Sequence, residues 1–231
     1  MPVKNRVKVY QVGGVYHIYS RGIEGREVFR SDEDYLVFVS LLKRYLHNPT
    51  EEETSRFDKE RPYIRRHKQE MNLHNDLKLL AYCLLPDHFH LIAKQESIDG
   101  ITKLTRRLLT YYVMWFNKKY KRQGVLFESV YKAVLVPTDS KLLALSRYIH
   151  LNPAPRVVKR FGPVETVAAS TPEYYPYSSY QYYLGGKKED WLNTEVVLEE
   201  MGRLMPEKGY RQFVEEGGEQ DLQEIADLIL E

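Results

Sequence analysis

Two histidines stand two residues apart in Pro86-Asp87-His88-Phe89-His90-Leu91, inside a run apolar enough to be a strand. Side chains at i and i+2 of a strand leave the same face, so His88, His90 and Ile92 line one surface while Phe89, Leu91 and Ala93 enter the core. Two imidazoles aimed at one spot suit a metal ion. Downstream, in Tyr148-Ile149-His150-Leu151-Asn152, a tyrosine and an asparagine lie four apart in a helical pattern and so share one helix face. If that face meets the histidine surface, the site holds two imidazole nitrogens, one amide oxygen and a phenol beside a cation with open positions. That set suits phosphodiester cleavage, in which the cation withdraws charge from the phosphate while Tyr148 attacks it. Free tyrosine titrates at a pKa of about 10, so a nearby cation is the group that would favour its ionisation.

Other uses of these residue types are excluded or less well served. An isolated pair of histidines on a strand also arises by chance, and the tyrosine at helical spacing is what distinguishes this one. A zinc hydrolase would need a third strong ligand, and the chain has no HExxH and only one cysteine, Cys83, in an apolar run. That count also removes a disulfide framework, and with no long apolar span and no signal-peptide core near the start it points to the cytoplasm and away from membranes. His17 and His150 are single histidines that read as structural or surface residues. Tyr111 and Tyr112 compete weakly with Tyr148 as nucleophile, since at least one must enter the core and neither has an amide four residues on.

The elements that must position these residues follow from periodicity. Val15 to Ser20 alternates as a strand and is broken by Arg21-Gly22. Ser31 opens a helix with acids in its first turn and an apolar side from Leu36 to Tyr45. Leu77 to Leu85 and His88 to Lys94 form an antiparallel hairpin across Pro86-Asp87. Leu104, Leu108, Tyr111, Tyr112 and Trp115 mark a helix over 101–120. Tyr131 to Val136 is a strand, and a helix from Asp139 stops at Asn152 because Pro153 disfavours helical geometry in the residue before it. The order β-α-β-β-α-β then helix predicts an α+β fold, a ferredoxin-like split βαβ sandwich with an antiparallel sheet, helices packed on one face and a C-terminal helical appendage. Residues 47–75 read as a charged insertion, 153–183 as irregular, and 194–204 and 219–230 as helical.

Charge divides the chain where composition does. Residues 187–231 carry net −8 and residues 1–186 net +10, which predicts a main domain over 1–186 and an acidic extension over 187–231. A basic body suits a nucleic-acid partner, and Arg21, Arg106, Arg107, Lys118, Lys119, Lys121, Arg122 and Lys132 are candidates for a phosphate-tracking surface. The acidic extension either lies against that surface and competes with DNA, or completes the core through Trp191, Leu192, Val196, Val197 and Leu198.

The strings VYHIYSRG (15–22), LLPDHFHLI (84–92), LTYYVMWFNKKY (109–120), GVLFESVYKAVLV (124–136), RYIHLNP (147–153) and YPYSSYQYYLG (175–185) resemble, in order, the blocks of single-tyrosine HUH transposases, IS200-like, of the branch associated with repetitive extragenic palindromes. The resemblance implies that His88 and His90 bind a divalent cation, Mg²⁺ or Mn²⁺, that Asn152 completes the metal site, and that Tyr148 cleaves single-stranded DNA to leave a 5′-phosphotyrosine and a free 3′-OH. It implies DNA hairpins of repetitive palindromic elements as partners. One nucleophile per chain means a homodimer, or a monomer using its tyrosine sequentially. The chain departs from the family pattern at Ile23, at Ser129-Val130 and after Pro153, at Ala154-Pro155-Arg156-Val157. Asp87 stands where relatives carry Asn, either as a turn residue or as a partner behind the metal ligands. The other reading of the same fold is a domesticated, catalytically silent hairpin-binding protein.

Overall fold

The computed structural model describes residues 10–50, 72–153, 172–216 and 223–229. The body runs β1 (Val15–Arg21), α1 (Asp32–Leu46), β2 (Leu77–Leu85), β3 (His88–Gln95), α2 (Gly100–Lys119), β4 (Lys132–Leu135) and α3 (Asp139–Leu151). The strands form one antiparallel sheet in the order β2-β3-β1-β4. This is the ferredoxin-like split βαβ arrangement expected above. Residues 51–71 of the 47–75 insertion and 154–171 of the irregular stretch lie outside the described residues. Among the described residues no helix is long and apolar enough to cross a membrane.

One sheet face carries the helices α1 and α2. Phe38 of α1 packs its ring 5.2 Å from Phe89 of β3 and 5.1 Å from Tyr112 of α2. The other face, where the histidines point, is covered as well. There α3 brings Tyr148 to His90, and the C-terminal extension adds α5 (Glu195–Leu204), α6 (Tyr210–Glu215) and a turn over 223–229. Burial on both faces explains why β2 reads as a nearly continuous apolar run instead of an alternating one. The short α4 (Tyr180–Tyr183) follows the Tyr-Ser-Ser segment, which caps the β2 edge: Leu84 N–H donates to the Tyr177 carbonyl and Ser179 N–H to that of Tyr82. Farther along the same edge Asn193 N–H donates to Leu79. An open strand edge invites pairing with other chains, and these bonds close it.

The extension belongs to the same core. Trp191, Leu192, Val197, Met201, Tyr210, Phe213, Val214, Ile225 and Leu228 are buried, and Val196 and Leu198 pack against them. The sheet and the extension therefore share one apolar interior.

Asp34 ties the start of α1 to the end of α2. Its buried carboxylate accepts from the backbone N–H of Arg30 and Ser31, from Tyr120 Oη at 2.8 Å and from Lys119 Nζ at 2.6 Å. Burial opposes ionisation, but these donors outweigh it and hold the carboxyl below its ordinary pKa. A group so shifted stabilises the fold above the aspartate range and loses that contribution as pH falls through it. Asp34→Ala, which takes the buried acceptor from Tyr120 Oη, Lys119 Nζ and two backbone N–H groups, is expected to cost about 3–5 kcal/mol in urea unfolding at neutral pH. The gap to wild type should narrow below about pH 4. A cost under about 0.5 kcal/mol, the usual range for surface substitutions, would show that the carboxylate is dispensable.

Candidate active site

The register of β1 on β3 sets Tyr19 opposite His90 and Arg21 opposite His88. His88 and His90 share one face, their ring centroids 4.8 Å apart and nearly perpendicular. The hairpin turn that precedes them is clamped from one side. Pro86 presents its carbonyl to the N–H groups of Val28 and Phe29, and Asp87 presents its own to Gly22. Gly22 lets the chain fold back on itself there, because a Cβ would collide with the Arg26 carbonyl.

Asp87 both turns the chain and contacts its neighbours. Besides turning the chain, its carboxylate lies 2.8 Å from His88 Nδ1 and 3.1 Å from Arg21 Nη2. A carboxylate behind Nδ1 favours the proton there and leaves Nε2 as the lone-pair nitrogen, the form in which imidazole binds a cation. His90 Nδ1 is likewise engaged, 2.9 Å from Nε2 of His17. His17 is fully buried and its pKa is lowered to about 4 by burial, which keeps it neutral at pH 7. Sequence reading put His17 among structural residues and missed this contact. The available signal was its place on the strand that a split βαβ fold lays beside β3, with Tyr19 two residues on.

From α3, Tyr148 sets its ring edge-on to His90, centroids 5.8 Å apart. The helix begins at Thr138, whose Oγ1 accepts from Lys141 N–H, and ends with Asn152 as C-cap, one turn beyond Tyr148, its N–H bonded to the Tyr148 carbonyl. His150, on the same helix, is buried between Tyr210 Oη and Ser179 Oγ at 2.8 Å each, a structural position as the sequence suggested. Tyr112 is buried and donates to the Val28 carbonyl, and burial raises its pKa, so it is a poor nucleophile. Tyr111 is exposed on α2, the helix of the opposite sheet face.

A cavity of about 310 Å³ opens over the histidines, lined among others by Arg21, His88, His90, Lys132 and Ile229. Lys132 lies over the Tyr19 ring, 5.4 Å from its centroid. Glu128 and Ser129, from the loop before β4, complete the wall, and Ser20 Oγ donates to the Ser129 carbonyl. Of the eight expected DNA-contacting cations only Arg21 and Lys132 reach this cavity. Arg106, Arg107, Lys118, Lys119, Lys121 and Arg122 belong to α2 or the turn after it, the helix that covers the other face. Lys119 is committed to Asp34 and Glu33, and Arg122 to Asn117 and the Val125 carbonyl.

The donors suited to a divalent cation are thus the Nε2 atoms of His88 and His90, each imidazole held from behind through Nδ1. Among the described residues no three His, Cys, Asp or Glu side chains gather as a metal cage. A cation here would fill its shell with oxygen donors, a neutral amide or water or an anionic phosphate, and keep positions open for substrate.

Comparison with known proteins follows the same residues. A solved structure of a REP-associated tyrosine transposase bound to a REP hairpin is similar to the chain at 14% identity, over 83% of this chain and 92% of that one, with a TM-score of 0.43. No curated protein matches the chain. The family model described as "Transposase IS200 like" matches residues 40–152. That stretch opens inside α1 and closes on Asn152, taking in both histidines of β3 and the tyrosine that faces them, and over these residues the chain is similar to the IS200-like transposases.

Proposed function

We propose that the protein is a metal-dependent, single-tyrosine endonuclease and strand transferase acting on single-stranded DNA that carries hairpins. The observation that carries this reading is the placement of Tyr148 against His90, a phenol beside a pair of imidazoles whose Nδ1 atoms are both engaged. His88, His90 and Asn152 would hold Mg²⁺ or Mn²⁺, with imidazole ligation favouring Mn²⁺ of the two. The cation, when bound, neutralises charge on the scissile phosphate. Arg21 and Lys132 line the cavity and would take the flanking phosphates. Hairpin preference follows from the ordered blocks that resemble the palindrome-associated branch.

In the cleavage step the Tyr148 oxygen forms a bond to phosphorus as the bond from phosphorus to the 3′ oxygen breaks. The phenolic proton is lost and the leaving oxygen gains one, giving a 5′-phosphotyrosine and a 3′-OH. Strand transfer is the reverse step with a different 3′-OH as attacker.

Tyr148→Phe removes only the hydroxyl, and cleavage of labelled hairpin DNA with Mn²⁺ should fall by several orders of magnitude while binding and fold persist. Unchanged cleavage would exclude Tyr148. Wild-type protein that binds the hairpin yet forms no covalent adduct with either cation would favour the catalytically silent reading instead.

Asp87→Ala should weaken Mn²⁺ binding about 10–100-fold by releasing the His88 ring, and His88→Ala should weaken it further. Asn152→Ala should cost less than His88→Ala, because water replaces an amide oxygen. Calorimetry showing equal Mn²⁺ affinity for wild type and His88→Ala would displace the metal from this site.

A further inference from the structure

We propose that His17 is a positioning residue for the active site, and that the Leu228 carbonyl in the C-terminal turn sets its proton so that His90 presents Nε2 to the metal. The role of the metal rests on the function proposed above; the proton order rests on geometry alone.

His17 sits between two partners. Its Nδ1 is 2.9 Å from the Leu228 carbonyl oxygen and its Nε2 is 2.9 Å from His90 Nδ1. All three groups are buried. A carbonyl oxygen has no proton to give, so the His17 proton must lie on Nδ1 for that bond to exist. A fully buried imidazole that bonds no carboxylate among the described residues stays neutral and carries a single N–H, since an isolated charge in an apolar interior is costly. Its Nε2 is then an acceptor. His90 must answer by donating from Nδ1, which leaves the Nε2 lone pair as its remaining ring nitrogen. The direction of two hydrogen bonds is therefore dictated from a peptide group 211 residues away along the chain.

That peptide group is firmly held. Leu228 N–H donates to the Ile225 carbonyl at 2.8 Å, and the side chains of Ile225 and Leu228 are fully buried. Asp227 pairs with Lys141 Nζ of α3 at 2.7 Å. The next residue, Ile229, lines the cavity beside His17, His88 and His90. Stacking fixes the rings as well as the protons: His17 lies 5.1 Å from His90 and 4.7 Å from Tyr19, centroid to centroid, with interplanar angles of 15° and 24°. The extension is thereby part of the site's construction, supplying the acceptor that orders the chain from Leu228 through His17 to His90.

The test uses the full chain, metal-free and labelled with nitrogen-15. Two-bond proton–nitrogen correlation spectra at pH 7 should show His17 and His90 both as the Nδ1–H tautomer, the peaks being assigned by their loss in His17→Gln and His90→Ala. His90 found as the Nε2–H tautomer would overturn the proposal. His17→Gln retains a donor and an acceptor at the spacing of the two ring nitrogens, so it should keep the His90 tautomer and hold Mn²⁺ affinity within about threefold of wild type. His17→Phe keeps a ring but neither nitrogen, and Mn²⁺ affinity should drop about 10–100-fold. Equal affinity for His17→Phe and wild type would also overturn it. Should His17→Phe fail to fold, the wild-type spectrum and His17→Gln decide. Failure of wild type to bind Mn²⁺ would overturn the metal reading, while the tautomer spectrum would still judge the relay.

Discussion

The register between β1 and β3 is the constraint on which the rest depends. Side chains alternate across a sheet, so a slip of one residue would send every group to the wrong face. In the observed register Arg21 lies opposite His88 and Tyr19 opposite His90, which puts His17 on the diagonal from His90, within reach of its ring. What holds the register is the opposite face, where Ile18, Phe89 and Leu91 are fully buried. Each such side chain is worth roughly 1.5–3 kcal/mol in burial, so apolar packing on one side of the sheet fixes polar geometry on the other.

The extension is net −8, and two of its carboxylates meet cations of the body: Glu189 meets Lys43 and Asp227 meets Lys141. Arg203 and Arg211 of the extension reach back to Asp139 and Glu173. Pairs this exposed contribute little to stability. The attachment comes from the apolar side chains beneath them, with Trp191 packed against Tyr82 and Val197 fully buried. Charge asymmetry is a surface property, and the force that docks the segment lies under it.

Much of this was legible from residue order. The hairpin followed from two apolar runs around Pro86-Asp87, the end of α3 from Pro153, and the shared face of His88 and His90 from strand period alone. What escaped has a common cause, which is that it depends on neighbours distant in sequence. Lys119 looks like any solvated helix cation until α1 brings Asp34 to it. The cations of α2 look like one surface with Arg21 and Lys132 until the sheet comes between them. His17 looks like a structural histidine, and it is one; its significance comes from a partner on β3 and another on the C-terminal turn.

The contact between His17 and Leu228 joins two ends of a long loop, and this has a kinetic reading. Contacts that close long stretches of chain form late, after the loop entropy has been met by shorter-range pairing. The turn over 223–229 is short, and a short segment opens locally at a free energy below that of the whole fold even where its side chains are buried. Its opening would strip the acceptor from His17 while leaving the four-stranded sheet intact. Amide protection in this turn would then report how often the histidine pair is fully organised, a quantity separate from how often the protein is folded.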